Sequence, residues 1–437
     1  MSELFFDFIQ IAIGNRKSLS VAIDDSDWLR LFDFCKSQDI LGIGYTAVEK
    51  LHSQGIACPS FWEEQWRDIA YQIEKQNEVI NGQCAVISRQ YEHDGFSTCI
   101  LNGQGNLSNY PEELRARRMS DDIFVWAIPN GDVLIAVQIG KDEVEYVTYH
   151  GCKAVIEYVK MLHRLAGNNE KPVIRYHHIE APKMEGTEVE VNFRACYTHS
   201  PLRNWRMQRW FDVHADVCMK NKTHMGFAVP TPSVNVVYQM CHLFSHYFDE
   251  GLGLRQLMDY YFALRVWHND VMECKDLQSQ GMWSEGLGTP VMSASEIMAV
   301  LRSFGMGKFA GAVMWVLNEA FVGVNENDNE NEKSPRMNTD GHRELLINDE
   351  RLRISDCPWM ICEPNEKEGK KLLAEIMQGG NFGQYDTRDA SLKKGGMMKH
   401  GVWKLKRVMR LVSSYPEEAL WEPVFRVWHL LWRGING

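Results

Sequence analysis

Between Cys99 and Ala127 the chain reads CILNGQGNLSNYPEELRARRMSDDIFVWA, and most of the residues suited to chemistry stand there. One apolar stretch runs into Asn102-Gly103-Gln104, and a second opens on Asp121 and Asp122. A glycine turn lets backbone N–H groups cradle phosphate oxygens, and carboxylates at a strand start hold Mg²⁺, so this order is the layout of a phosphate-and-metal site. Strand alternation puts Asp122, Phe124 and Trp126 on one face and Ile123, Val125 and Ala127 on the other. The position that should pair with Asp122 at a metal is therefore aromatic. Asp121 replaces it only if the strand start bends or bulges. Arg115, Arg117 and Arg118 either grip a triphosphate bidentately or solvate a loop, and solvation is expected for two of the three.

These residues need strands to hold them, and the period of the sequence supplies them. From about residue 96, FSTCIL, DIFVWAI, DVLIAVQI and EVEYVTY alternate as strands, the last two joined like a hairpin at Gly140-Lys141-Asp142. Cys152 to Ala166 reads as a helix, and VIRYHHIEA and TEVEVNFRAC as two more strands around a turn at Met184 to Thr187. This is a compact α/β domain rather than a long doubly wound sheet.

The flanks are helical. Asp27 to His52 carries helical apolar spacing with Gly44 as the expected break, and Pro59 to Tyr91 keeps that spacing through Trp62, Trp66, Ile69 and Ile73. Beyond Pro232, SVNVVYQMCHLFSHYF and GLRQLMDYYFALRVWH predict an antiparallel helix pair, and SASEIMAVLRSFGM and FAGAVMWVLNEAF another. Residues 325–342 are polar and acidic and read as a mobile loop. The expected organisation is a helical region over 1–95, an α/β domain over 96–230 and a helical region over 231–437.

Other constellations are weaker. His242 and His246 have the i, i+4 spacing of a zinc pair, but no glutamate follows the first and no third ligand is evident, which favours a structural role. His177 and His178 fall on a strand, where only one of them faces a given partner. Arg255 and Asp259 read most simply as an ion pair on a helix surface, although Arg255 and Gln256 can instead border a cleft. GGNFGQ lacks the lysine and hydroxyl of a P-loop, and no GxSxG elbow occurs.

Composition bounds the function. In 437 residues, 45% hydrophobic and 11% aromatic, there is enough apolar material for a globular protein of two or three units. A net charge of −11 argues against a general grip on nucleic acid. No stretch approaches the roughly 20 apolar residues that span a bilayer, and the apolar N-terminus LFFDFIQIAIG reads as a core helix. Eleven scattered cysteines without a CxxC pair fit a reducing cytoplasm.

In order, LNGQ closing a strand, Asp122 opening another and Val189-Glu190-Val191 in a third resemble the polymerase-beta-type nucleotidyltransferase superfamily. The run LxGQGN, YP, arginines, acidic strand start with VWA, and HH…VEVxF is similar to an uncharacterised nucleotidyltransferase-like family frequent in gut Bacteroidetes. SHYFDEGLGLRQLMDYY, GAVMWVL, EIMQGGNFGQYD and YPEEALWEP extend that similarity over nearly the whole chain.

The resemblance implies an α+β fold: a minimal nucleotidyltransferase-like mixed sheet flanked by helical regions. It also implies Mg²⁺-dependent transfer of a nucleoside monophosphate from an NTP to an unknown small or macromolecular acceptor. Asp122 and Glu190 become the catalytic and metal-holding carboxylates, with Asp121 a further ligand. Gly103, Gln104 and Arg118 approach the nucleotide. The family pattern, roughly LKG, SGDIDVW and VEVHF, is broken here at Asn102, Asp121, Phe124 and Asn192. Loss of one bridging carboxylate forfeits several kcal/mol, on the order of a thousandfold in rate. Two expectations follow, an impaired transferase or an inactive member of the fold that binds a ligand or protein. Simpler roles stay open for each residue: a turn for Gly103, a cap for Asp122, a solvated strand position for Glu190.

Overall fold

In a computed structural model of the chain, which describes residues 2–120, 122–139, 143–167, 171–279, 291–322, 357–388 and 397–436, helices build both ends. Asp121, the turn 140–142 and the acidic stretch 325–342 lie outside the described residues. After α1 (Ser2–Ile13), Asp24 accepts hydrogen bonds from the N–H groups of Ser26 and Asp27 and so starts α2 (Asp25–Ser37). The chain then breaks at Asp39, whose φ is 54°, before α3 (Leu41–Ser53). Gly44 is not the break expected from the sequence. It sits inside α3, where a Cβ would lie 2.7 Å from Cys35 Sγ and 2.9 Å from the Trp66 ring, so glycine there permits close helix crossing. The long α4 (Ser60–His93) follows.

The sheet comes next: β1 (Phe96–Ile100), the short α5 (Gln104–Leu107) and α6 (Glu112–Arg115), then β2 (Asp122–Pro129), β3 (Val133–Gln138), β4 (Val144–Tyr149), α7 (Gly151–Leu165), β5 (His178–Met184) and β6 (Thr187–Asn192). Four strands form one mixed sheet in the order β1-β2-β6-β5, with β2 and β6 parallel and the other pairs antiparallel. The antiparallel pair β3–β4 stands apart as its own two-stranded sheet. The fold is thus α+β, as the sequence indicates.

The remaining helices are α8 (Pro201–Lys220), α9 (Pro232–Asp249), α10 (Leu254–Ser279), α11 (Ala294–Ser303), α12 (Gly307–Leu317), α13 (Glu366–Gly379), α14 (Met397–Leu411) and α15 (Pro416–Asn436). Two hydrophobic cores divide the sheet between them. Ile123, Val125, Ala127, Val189 and Val191 pack with α4 and α7 residues in the smaller core. Trp126 and the partly buried Phe124 turn the other way, into the larger core that gathers helices from both ends of the chain. The apolar N-terminus is a core helix, tied to the segment that follows α12 by Gln10 Nε2 donating to Ala320 O at 3.3 Å and Asn15 Nδ2 to Phe321 O at 2.5 Å. All eleven cysteines are free thiols. Among the described residues no helix is long and apolar enough to cross a membrane.

Candidate active site

The register of the sheet decides which polar residues meet. Asp122 pairs with Glu188, Phe124 with Glu190 and Trp126 with Asn192 across β2 and β6, while Glu190 pairs with Glu180 and Asn192 with His178 across β6 and β5. Two lateral rows result, Phe124–Glu190–Glu180 and Trp126–Asn192–His178. Asp122 stands diagonally from Glu190, about 8 Å away between Cα atoms on ideal sheet spacing. A cavity of about 500 Å³ covers this face, walled by Asp122, Phe124, Glu190 and Glu180 below and by His242, Arg255 and other helical residues above. That volume suits a ligand of nucleotide size.

Gly103 sits at the cavity edge beside Asp122. Leu101 N–H still donates to Phe124 O at 3.0 Å, and the chain then turns at Gly103 with φ 59° and ψ −111°, a conformation closed to other residues. A Cβ there would lie 3.2 Å from the Asp122 carbonyl oxygen. Asn102 is clamped from above: its Nδ2 donates to the Tyr238 hydroxyl at 2.8 Å, and its Oδ1 accepts from Gln239 Nε2 at 3.0 Å. Gln104 turns away, its Nε2 donating to Asn77 O at 3.2 Å, and it does not line the cavity.

The arginines divide by partner. Arg118 is buried and bidentate to Asp259, Nε to Oδ1 at 2.7 Å and Nη2 to Oδ2 at 2.6 Å, so its charge is matched within the cavity wall. Asp259 also accepts from the Tyr110 hydroxyl at 2.7 Å. Arg117 is bound by Glu74 and Glu49, and Arg115 donates to Tyr110 O at 2.8 Å. The ion pair on a helix surface expected for Arg255 and Asp259 is replaced by burial of both, with Asp259 paired to Arg118; Arg255 and Gln256 line the cavity.

The electrostatics set Glu190 apart. Burial, then the charge of Asp122, pushes its carboxyl up to about 7 against the pull of Arg175 and His246. His178 Nδ1 lies 3.5 Å from Glu190 Oε2 and 3.0 Å from His177 Nε2. Both histidines line the cavity because His177 precedes β5 rather than alternating within it. Burial, then the charge of Arg175, pulls His178 down to about 3; burial, then His178 and His242, holds His177 well below the usual range. Both imidazoles are thus neutral near pH 7. His242 and His246 also face the cavity with ring centres 4.2 Å apart, and Glu250, 3.6 Å from His246, is drawn down to about 2 by its hydrogen bond to that ring.

Sequence reasoning missed Glu180 as a partner of the site, while Gln256 does border the cleft, the alternative the sequence offered for it. The signal for Glu180 was present, since His178 and Glu180 are two apart on a strand that must pair with Glu190. Among the described residues no three His, Cys, Asp or Glu side chains are gathered so as to hold a metal ion by themselves.

No curated protein and no solved structure matches the chain. A family model described as "Uncharacterised nucleotidyltransferase" matches residues 24–281, from the cap of α2 past the end of α10. That span takes in the Gly103 turn, Asp122, Phe124, Glu190 and the α9 and α10 part of the cavity roof, and the chain belongs to the uncharacterised nucleotidyltransferase family.

Proposed function

We propose that the cavity binds an NTP together with Mg²⁺ and transfers its nucleoside monophosphate to an acceptor, at a rate lowered by Phe124. The observation that carries this reading is the opening of Asp122 and Glu190 into one cavity beside the Gly103 turn. The donor set fits one such ion, because Mg²⁺ needs only one or two protein carboxylates when substrate phosphates and water complete its shell. Asp122 and Glu190 would hold it, and bound there it would neutralise charge on the phosphoryl oxygens. Gly103 lets the backbone approach the nucleotide closely, since a Cβ at that position would meet the Asp122 carbonyl. Glu190 must give up its proton to serve as a ligand, and the neutral His178 beside it opposes that release less than a second anion would.

The cavity continues to Lys404, Arg426 and His429 on the last two helices, which form the side open to an acceptor. Free thiols throughout and the lack of a membrane-spanning helix among the described residues support a cytoplasmic setting. The second reading is binding without transfer, favoured by one observation: Phe124 occupies the place next to Glu190 where a second carboxylate would stand. Calorimetric titration of Mg²⁺ with each NTP, combined with label transfer from α-³²P-NTPs, separates the two. Transfer that disappears in Asp122→Ala supports the enzyme, metal-dependent binding without transfer supports the binding module, and no binding at millimolar NTP overturns both.

A further inference from the structure

Residues that the family resemblance assigns to the phosphates are engaged elsewhere. Gln104 bonds to Asn77, and Arg118 is held by Asp259. The start of α10 presents the opposite case. Gly253 N–H donates to Gln256 Oε1 at 2.9 Å, which fixes the amide: the oxygen is the acceptor, so Nε2 carries the donors. Gln256 is 5% exposed and lines the cavity, and its Nε2 is buried with no hydrogen-bond partner among the described residues. A buried donor in that state is matched by a ligand that supplies an acceptor.

Its surroundings specify an anion. Arg255, one residue before, donates to Met119 O at 3.1 Å, stands 3.8 Å from Asp39 Oδ2 and lies 5.7 Å over the Phe382 ring, so its positive charge is shared between Asp39 and the segment leading into β2. Ser120, buried on that segment, uses its oxygen to accept from Arg118 Nη1 at 2.6 Å and so keeps its own hydroxyl proton to give. The first turn of the 26-residue α10 adds the positive end of its dipole. We infer that this corner, formed by Gln256, Arg255 and Ser120, binds the terminal phosphate oxygens of a polyphosphate chain, in place of the residues that follow Gly103.

The inference rests on the nucleotide-binding reading only in sharing its cavity, and the probe keeps the two separate. Inorganic tripolyphosphate without divalent metal is titrated calorimetrically into the full chain, the wild type beside Gln256→Glu and Gln256→Met. Gln256→Glu retains the oxygen that caps Gly253 and Gln256→Met retains the bulk, so one decides if thermal melting shows that the other is unfolded. Wild-type binding that weakens about tenfold or more in the folded variants is expected, the loss of a hydrogen bond to a charged group. An unchanged affinity in them, or no wild-type binding of tripolyphosphate, overturns the inference. Mg²⁺–NTP binding of the same strength in wild type and variants sinks this corner and leaves the proposed function standing. Gln256-dependent tripolyphosphate binding with no NTP binding does the reverse.

Discussion

Phe124 and Glu190 are lateral neighbours in the parallel pair of β2 and β6, both turned to the cavity, with Glu180 completing the row. An aromatic ring therefore stands where a carboxylate would lie within reach of both Asp122 and Glu190. The same ring packs partly buried against the larger core, so it contributes to stability as well as occupying the cavity face beside Glu190.

Phe124→Asp separates those two roles. Under the proposed function, label transfer from α-³²P-NTPs should rise on the order of a hundredfold or more, because a second carboxylate would help hold the Mg²⁺ that neutralises the phosphoryl oxygens. Urea unfolding should show a loss of about 1–3 kcal/mol from the missing ring and the added carboxylate beside Glu190. Transfer that does not change would show that Phe124 is not what limits the site.

Gly103→Ala tests the turn. At φ 59° a side chain is strained, and its Cβ would press on the Asp122 carbonyl oxygen 3.2 Å away. A loss of about 1–3 kcal/mol is expected, with weaker Mg²⁺–NTP binding because the start of β2 must shift. Gly82, inside α4 with nothing within 4 Å of an added Cβ, is the control. Gly82→Ala should stabilise by up to about 1 kcal/mol. Equal melting temperatures for the two variants would refute the strain argument.

Arg118 and Asp259 carry fold rather than exposed charge. Removing one partner as Asp259→Ala leaves a buried guanidinium uncompensated and should lower stability by about 3–5 kcal/mol, read from the urea midpoint. The double variant Arg118→Met with Asp259→Leu should lose clearly less than the two single losses added together. Additive losses would mean that the pair does not act as a unit.

The sequence carries the strands and the face of each residue because period-two alternation leaves little freedom: Ile123, Val125 and Ala127 do face one core and Trp126 the other. The Gly103 turn and the placement of Asp122 and Glu190 on the cavity side follow from that same alternation. Long-range partners are not local, and here the reading stopped short. Nothing near Arg118 in the chain announces Asp259, 141 residues later, and the amide clamp on Asn102 comes from α9. Gly44 misleads because a glycine inside a helix for close packing resembles one that ends it. The helix α8 is absent from the sequence reading because polar residues dilute its apolar stripe, and Pro201 in its first turn is a local signal that could have marked it.

His199 and Glu418 join the last helix to the rest of the molecule, and their link titrates. His199 Nδ1 is 2.9 Å from Glu418 Oε1, the His199 backbone N–H donates to that oxygen at 2.6 Å, and both side chains are buried. Burial alone would lower the imidazole pKa, but the hydrogen bond to Glu418, its charge and that of Asp249 outweigh burial and raise it above the usual value. A histidine that binds its proton more tightly when folded gives its full stabilisation below the unfolded value of about 6.5. That stabilisation is lost as pH rises through the higher folded value. The buried His177 and His178 have the opposite sign, with pKa values lowered on folding, and reduce stability as pH falls below about 6.5. The readout is therefore a difference. The stability of the wild type minus that of His199→Gln, from urea midpoints at a series of pH values, should shrink as pH rises above about 6.5. Protection of the α15 amides from exchange, measured relative to the intrinsic rate at each pH, should fall over the same range in the wild type alone. A difference that stays constant with pH would mean that the His199 imidazole binds its proton no more tightly in the folded chain than in the unfolded one, which overturns the titrating link to Glu418.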